Sequence, residues 1–189
     1  RTSVLNLHLM RTPIIYILSA HASRILLTIY FAITRFIYTR LGSSRIHHGS
    51  GLRVNAYSSF GQGTIVGSDC HFNGIRVLGY GTLTIGNHFH SGPEILVITS
   101  SHNYKSLNYL PYDNTELIKN VVIGDYVWLG ARVTILPGAF LGDGVIVQAG
   151  SVVHGSIPAC SIVGGNPAVV IGHRDVKVFE QLRLLQRSI

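Results

Sequence analysis

His102 is the side chain whose type and setting best suit chemistry: it follows Thr99-Ser100-Ser101 and opens a polar stretch, 103–120, rich in Tyr, Asn and Lys. Imidazole ordinarily changes charge near neutral pH, so it can take a proton from a reacting group and return it. A histidine alone in a turn is commonly just solvated. The eighteen-residue segment beside this one adds weight, because loops of that length in compact domains are usually functional or disordered. The segment is expected to act as a lid or a substrate-binding flap, with Tyr104, Tyr109 and Tyr112 available to stack on a ring. Which group orients His102 is not readable; Glu94 and Asp113 are the carboxylates that come into question.

Other reactive residue types are sparse or badly spaced. Cys70 and Cys160 fit neither a metal-ligand spacing nor a disulfide framework, which agrees with a reducing compartment. His71 and His90 lack a third partner, so no metal is expected. The 15 Lys and Arg against 8 Asp and Glu give a net charge of +7, but the basic residues are scattered and no Lys/Arg run interleaves with aromatics. That pattern argues against nucleic acid and for an anionic small molecule or an acidic membrane surface. With 47% hydrophobic and 12% charged residues, whole-chain disorder is excluded.

The element that must position these side chains is a repeat of six. Ile123, Leu129, Ile135, Leu141, Val147 and Val153 keep that spacing unbroken, and four residues beyond each stand Val127, Val133, Ala139, Val145, Ser151 and Ile157. Upstream, Val54, Phe60, Val66, Phe72 and Leu78 share the period; one extra residue then shifts the frame to Ile85, Ser91 and Val97. A period of six suits neither a helix nor a long alternating strand. It suits short strands joined by turns, with the anchor and the residue two before it both facing inward. Three strands make a coil of about eighteen residues, and stacked coils bury a continuous apolar column. Cys70 occupies a small inward slot, so it reads as core filler. His71 and His90 should stack one coil apart, on the corner that carries Trp128.

Flanking segments read as helices. Thr12 as N-cap, Pro13 at the first helical position and Gly42 as the stop delimit a long N-terminal helix. Its uncharged runs, 14–23 and 25–34, are about ten residues each, against the roughly twenty that a membrane span needs, and Arg24 interrupts it. So wide an apolar surface must be covered by the body, by a sister subunit, or by a membrane on which the helix lies. Asp175 can cap a second helix running to about Arg187, with Val178, Phe179, Leu182 and Leu185 on one side, covering the end of the column or docking a neighbour. The expected organisation is a helical segment 1–50, a repeat domain 51–171 with an insertion at 103–120, and a helix in 172–189.

Three ordered stretches carry a resemblance: Ile85-Gly86-Asn87 leading to Thr99-Ser100-Ser101-His102; Ile123-Gly124-Asp125-Tyr126-Val127-Trp128-Leu129-Gly130 with Ile135-Leu136-Pro137-Gly138; and Val163-Gly164-Gly165-Asn166-Pro167-Ala168. Residues 54–171 resemble the sugar and xenobiotic O-acetyltransferases of the hexapeptide-repeat family, such as the galactoside, maltose and nodulation-factor enzymes. The resemblance implies an all-β, left-handed parallel β-helix; periodicity alone does not give the hand, and parallel crossovers are ordinarily right-handed. It also implies acetyl coenzyme A as co-substrate, no metal, and a homotrimer with active sites between subunits. The γ-class carbonic anhydrases share the coil but use three histidines, two of them five residues apart, and here Leu107 stands at that offset from His102.

By the same resemblance His102 is the catalytic base and Trp128 packs on the pantetheine arm. Ala131 and Ala149 lie beside the cofactor, and Gly165, Asn166 and Pro167 shape its adenine end. His154-Gly155 and Val169 depart from the family pattern, which leaves Arg174 and Lys177 as the nearest basic candidates for its phosphates. Tyr104, Tyr109 and Asn73 are candidates to contact a sugar acceptor. Register puts His102 at the corner between the third and first faces and Trp128 at that between the first and second, roughly 15–20 Å apart along a strand of five or six residues. They should therefore meet only across subunits.

The expected activity is O-acetylation of a sugar in cell-surface polysaccharide or lipopolysaccharide assembly, by direct transfer. The expected location is the cytoplasm, with peripheral contact at the inner face of the membrane through the N-terminal helix. An antibiotic acetyltransferase, an amino-sugar N-acetyltransferase and a trimeric scaffold without activity are the alternatives.

Overall fold

The computed structural model describes the backbone of residues 5–44 and 46–186, with side chains from residue 23 onward. Among the described residues seventeen short strands stack on three faces, all but the last in parallel, and two more form a separate antiparallel pair. The first face runs through His47–His48, Ile65–Val66, Leu83–Ile85, Val121–Ile123, Phe140–Leu141 and Ser156–Ile157. The second carries Arg53–Val54, His71–Phe72, His90–Ser91, Trp128–Leu129, Ile146–Val147 and Ser161–Gly165, and closes with the antiparallel strand Ala168–His173. Ile75–Leu78, Ile95–Ile98, Thr134–Ile135 and Val152–Val153 make the third. The result is a parallel β-helix.

The repeat explains both the core and the corners. Ile123, Leu129, Ile135, Leu141, Val147 and Val153 are all buried, as are Val127, Val133, Ala139, Val145, Ser151 and Ile157. At one corner the residue after each Ile-Gly or Leu-Gly pair builds a side-chain ladder: Asn87 Oδ1 accepts from Ser68 N at 2.9 Å, Asp125 Oδ1 from Asn87 N at 2.7 Å and Asp143 Oδ1 from Asp125 N at 2.9 Å. Turn amides that strand pairing leaves free are thereby satisfied. The next corner demands glycine: a Cβ on Gly130 would lie 2.5 Å from the Ala149 nitrogen.

The upstream frame differs from the sequence reading at one anchor. Val77, not Leu78, faces the core; it pairs with Val97, while Leu78 lies exposed beside Ile98. The chain shortens by one residue between Phe72 and Val77 and lengthens by two before Ile85, at Gly79-Tyr80-Gly81. The net shift of one hides two compensating irregularities.

The N-terminal helix, α1, spans Leu5–Ser43. It begins before the expected cap, so Thr12 and Pro13 fall within it; a proline there removes one i→i−4 bond, which a helix of 39 residues absorbs. The stop agrees to within a residue of Gly42. Among the described residues its contact with the body includes its C-terminal part. Val54 N donates to Thr39 Oγ1 at 2.9 Å, Gly42 packs on Phe60, and Tyr38 joins the core. Ile25, Leu26, Leu27, Ile29, Tyr30, Phe31, Ile33 and Phe36 remain exposed, so the body of this protomer does not cover the apolar surface. The segment Ser23–Ser43 has mean hydropathy 1.3 and, by length and composition, is long and apolar enough to cross a membrane, although Arg24, Arg35 and Arg40 divide it into shorter uncharged runs.

The second helix, α2, spans Val176–Gln186, and Arg187 lies outside the described residues. Asp175 caps it through Oδ1, which accepts from Val178 N at 3.1 Å. Of the expected apolar side only Phe179 is buried; Val178, Leu182 and Leu185 are exposed. Phe179 packs on Gly144 and Tyr126, and Arg183 reaches Asp143 at 3.0 Å. The helix thus lies along the first corner rather than over the end of the column.

Candidate active site

The insertion at 103–120 is a hairpin. Ser100–His102 pairs antiparallel with Glu116–Ile118, and Glu116 stands directly opposite His102. Side chains opposite each other in an antiparallel pair share a face and lie in reach, and here His102 Nδ1 is 3.0 Å from Glu116 Oε1. Tyr112 folds back from the tip so that its ring stacks on the imidazole, centroids 4.0 Å apart and planes at 7°. One ring nitrogen and one face of the imidazole are thereby engaged. The surrounding surface is lined by Leu78, Tyr80, Ile98, Ser100, Ser101 and Glu116.

Neither carboxylate considered from the sequence orients His102. Glu94 pairs with Arg132 at 2.7 Å. Asp113 accepts from Thr115 N at 2.8 Å and from Asn103 Nδ2 at 2.9 Å, closing the hairpin tip; the Thr115 amide above all holds its carboxyl below the usual range. The partner missed was Glu116. Its signal lay in Thr115-Glu116-Leu117-Ile118, a β-prone run just before the repeat resumes, which as a returning strand points back at His102.

The remaining site residues fall into three places. Trp128, about half exposed, sits on the second face with His90 before it and Ile146 after it. It lines a groove with His88, His90, Tyr126, Arg174, Phe179 and Arg183, and Arg174 Nε donates to Gly144 O at 2.7 Å. Ala131 and Ala149 lie at the far end of the second-face strands, where coils approach closely enough to require Gly92 and Gly130. Gly165, Asn166 and Pro167 form the exposed turn of the last hairpin, with Gly165 N donating to Ser151 Oγ at 3.2 Å. Asn73 is committed within the coil: Oδ1 accepts from Asn55 at 2.9 Å and Nδ2 donates to Ser91 O at 2.7 Å. Tyr104 and Tyr109 are exposed on the hairpin tip, with Lys105 Nζ 5.9 Å from the Tyr104 ring centroid.

The His102 surface and the Trp128 groove share no residue and occupy different corners. His71 and His90 stack as expected, with centroids 4.4 Å apart, and no group of three or more His, Cys, Asp or Glu among the described residues could hold a metal. Cys70 is buried, its thiol pushed up to about 11 by desolvation.

Comparison with known proteins decides the family. The six-repeat bacterial transferase hexapeptide family matches residues 120–155. Over 146 residues the chain is 36% identical to WbbJ of Escherichia coli K12, named for O-acetyl transfer in lipopolysaccharide biosynthesis, covering 70% of this chain and 72% of that one. The chain is a hexapeptide-repeat acetyltransferase. This acetyltransferase is also 28% identical over 146 residues to a galactoside O-acetyltransferase of Lactococcus lactis, covering 76% of its own length and 61% of the relative's. A hexapeptide-repeat acetyltransferase of Vibrio cholerae, solved with acetyl coenzyme A, superposes on it with TM-score 0.55 at 28% identity, over 72% of this chain and 76% of that one. Membership in a transferase family sets aside the scaffold reading.

Proposed function

We propose that this acetyltransferase moves an acetyl group from acetyl coenzyme A to a sugar hydroxyl during cell-surface glycan assembly, with His102 as general base. The observation that carries the reading is His102 held between Glu116 at 3.0 Å and Tyr112 at 4.0 Å on a hairpin the repeat does not need. With Nδ1–H donated to Glu116, Nε2 accepts the acceptor's hydroxyl proton as its oxygen attacks the thioester carbonyl. The C–S bond then breaks, the imidazolium returns the proton to the departing thiolate, and ester and free thiol leave. Glu116 balances the charge that the imidazole carries between those two steps. No covalent enzyme intermediate is required.

The donor lies along the second face, with its pantetheine arm on Trp128 and Ala131 and Ala149 admitting its amides close to the backbone. Gly165, Asn166 and Pro167 meet the adenine, and Arg174 supplies charge near Trp128. Because His102 and Trp128 occupy different corners, the site is completed by a second subunit of a homotrimer. The acceptor meets Tyr104 and Tyr109 of the hairpin. The exposed apolar surface of α1 holds the enzyme at the cytoplasmic face of a membrane, beside glycan precursors.

The names of the relatives support the sugar reading, and the geometry supports the base. The test is thiol release from acetyl coenzyme A with a panel of sugars, amino sugars and antibiotics. His102→Ala should lower turnover at least about a hundredfold while assembly is kept; near-normal turnover removes His102 from the mechanism, and preference for an antibiotic or an amine overturns the acceptor.

A further inference from the structure

Beside Trp128, the outward side chains of the second face continue as a column whose other members the acetyl transfer proposed above leaves unused. Arg53 pairs with His71, His71 with His90 and His90 with Trp128, each in register. All four therefore project from one face, about 4.8 Å apart per strand. The column holds one permanent cation, Arg53, beside two imidazoles, and it is poorly compensated. Among the described residues no carboxylate pairs with Arg53, His71 or His90. Asp69 is the carboxylate that acts on His71, and it lies 3.9 Å from His88. Burial first, then a neighbouring histidine (His90 for His71, His88 for His90) and Arg53, hold both His71 and His90 below the ordinary imidazole range; Arg35 of α1 adds to the effect on His71. The charge that the imidazoles gain on protonation beside Arg53 is relieved when an anion sits on them.

The direction of the column says whose anion it is. In the proposed reading, on which this inference rests, the donor runs from Trp128 toward Ala149 and Gly165, the C-terminal end of the coil. Arg53, His71 and His90 run from Trp128 the other way, toward the end where Thr39 of α1 meets Val54. We infer that Arg53, His71 and His90 bind an oxyanion, phosphate or carboxylate, carried by the acceptor, so that the enzyme acts on an anionic glycan. Arg53 supplies the permanent charge and the two imidazoles supply N–H donors that strengthen as they protonate. Binding therefore tightens as the pH falls through the histidine titrations.

Inorganic diphosphate is a probe that needs no knowledge of the acceptor. Histidine ring protons of the full chain are followed by NMR through a pH titration, with and without millimolar diphosphate, and again with saturating coenzyme A. Diphosphate should move the His71 and His90 titrations to higher pH, equally with coenzyme A present, and Arg53→Gln should weaken its binding about tenfold. Arg53 is exposed, so the variant is expected to fold, and the retained histidine spectrum verifies that it does. Titrations that ignore diphosphate overturn the site. A response abolished by coenzyme A overturns the acceptor assignment, because the anion is then the donor's. Neither readout depends on turnover, so a failure of His102 as base would be seen separately.

Discussion

The coils from Val121 to Gly165 and the hairpin joining Ser100–His102 to Glu116–Ile118 divide the labour of this molecule. In the coils every anchor is buried and one register serves all three faces. In the hairpin the period is abandoned, a strand turns antiparallel, and His102, Glu116 and Tyr112 converge. Regularity builds the frame, and its interruption gathers unlike side chains. A repeat cannot itself place three different side chains around one imidazole, because the same slot recurs every coil with the same neighbours.

Substitutions can break that contrast from either side. The largest effect belongs to the coils: Leu129→Ala, fully buried, should cost about 2–5 kcal/mol of stability by chemical denaturation, through lost burial and a cavity. Turnover per folded molecule should be nearly unchanged. In the hairpin the opposite pattern is expected. Glu116→Gln should lower kcat roughly tenfold or more, with little change in unfolding midpoint, because it removes the charge that balances the imidazolium. Tyr112→Ala should act less, about severalfold on kcat, with Tyr112→Phe near normal, since the ring rather than the hydroxyl covers the imidazole.

The smallest effect is on acid stability. His71 and His90 have folded-state titrations below the unfolded value, so the unfolded chain binds more protons as the pH falls past about 6.5. Stability fully present above that value is lost on acidification through the folded titrations. Melting temperature measured against pH should fall less steeply in a His71→Gln/His90→Gln variant.

Legibility in the sequence followed the same division. Anchors such as Ile123 and Leu141 announce themselves because burial imposes one residue class at one spacing. His102 and Trp128 could be assigned to different corners by counting strands. Glu116 could not be found that way, since pairing across a hairpin joins residues whose sequence separation depends on the length of the turn, and no period encodes it. Leu78 was misplaced for a related reason: a residue lost before Val77 and two gained after it leave nearly the same count. The extent of α1 was misjudged because cap signals at Thr12 and Pro13 mark a permitted start, and helical residues upstream were free to continue it.

The central claim is that His102 of one subunit works with Trp128 of another. His102→Ala and Trp128→Ala enzymes, each weakly active alone, should be unfolded, mixed in equal amounts and refolded, and thiol release from acetyl coenzyme A measured. If the site spans subunits, mixed trimers rebuild intact sites and about a quarter of wild-type activity returns, as random assembly requires. Mixed trimers with no more activity than the two variants apart would contradict it.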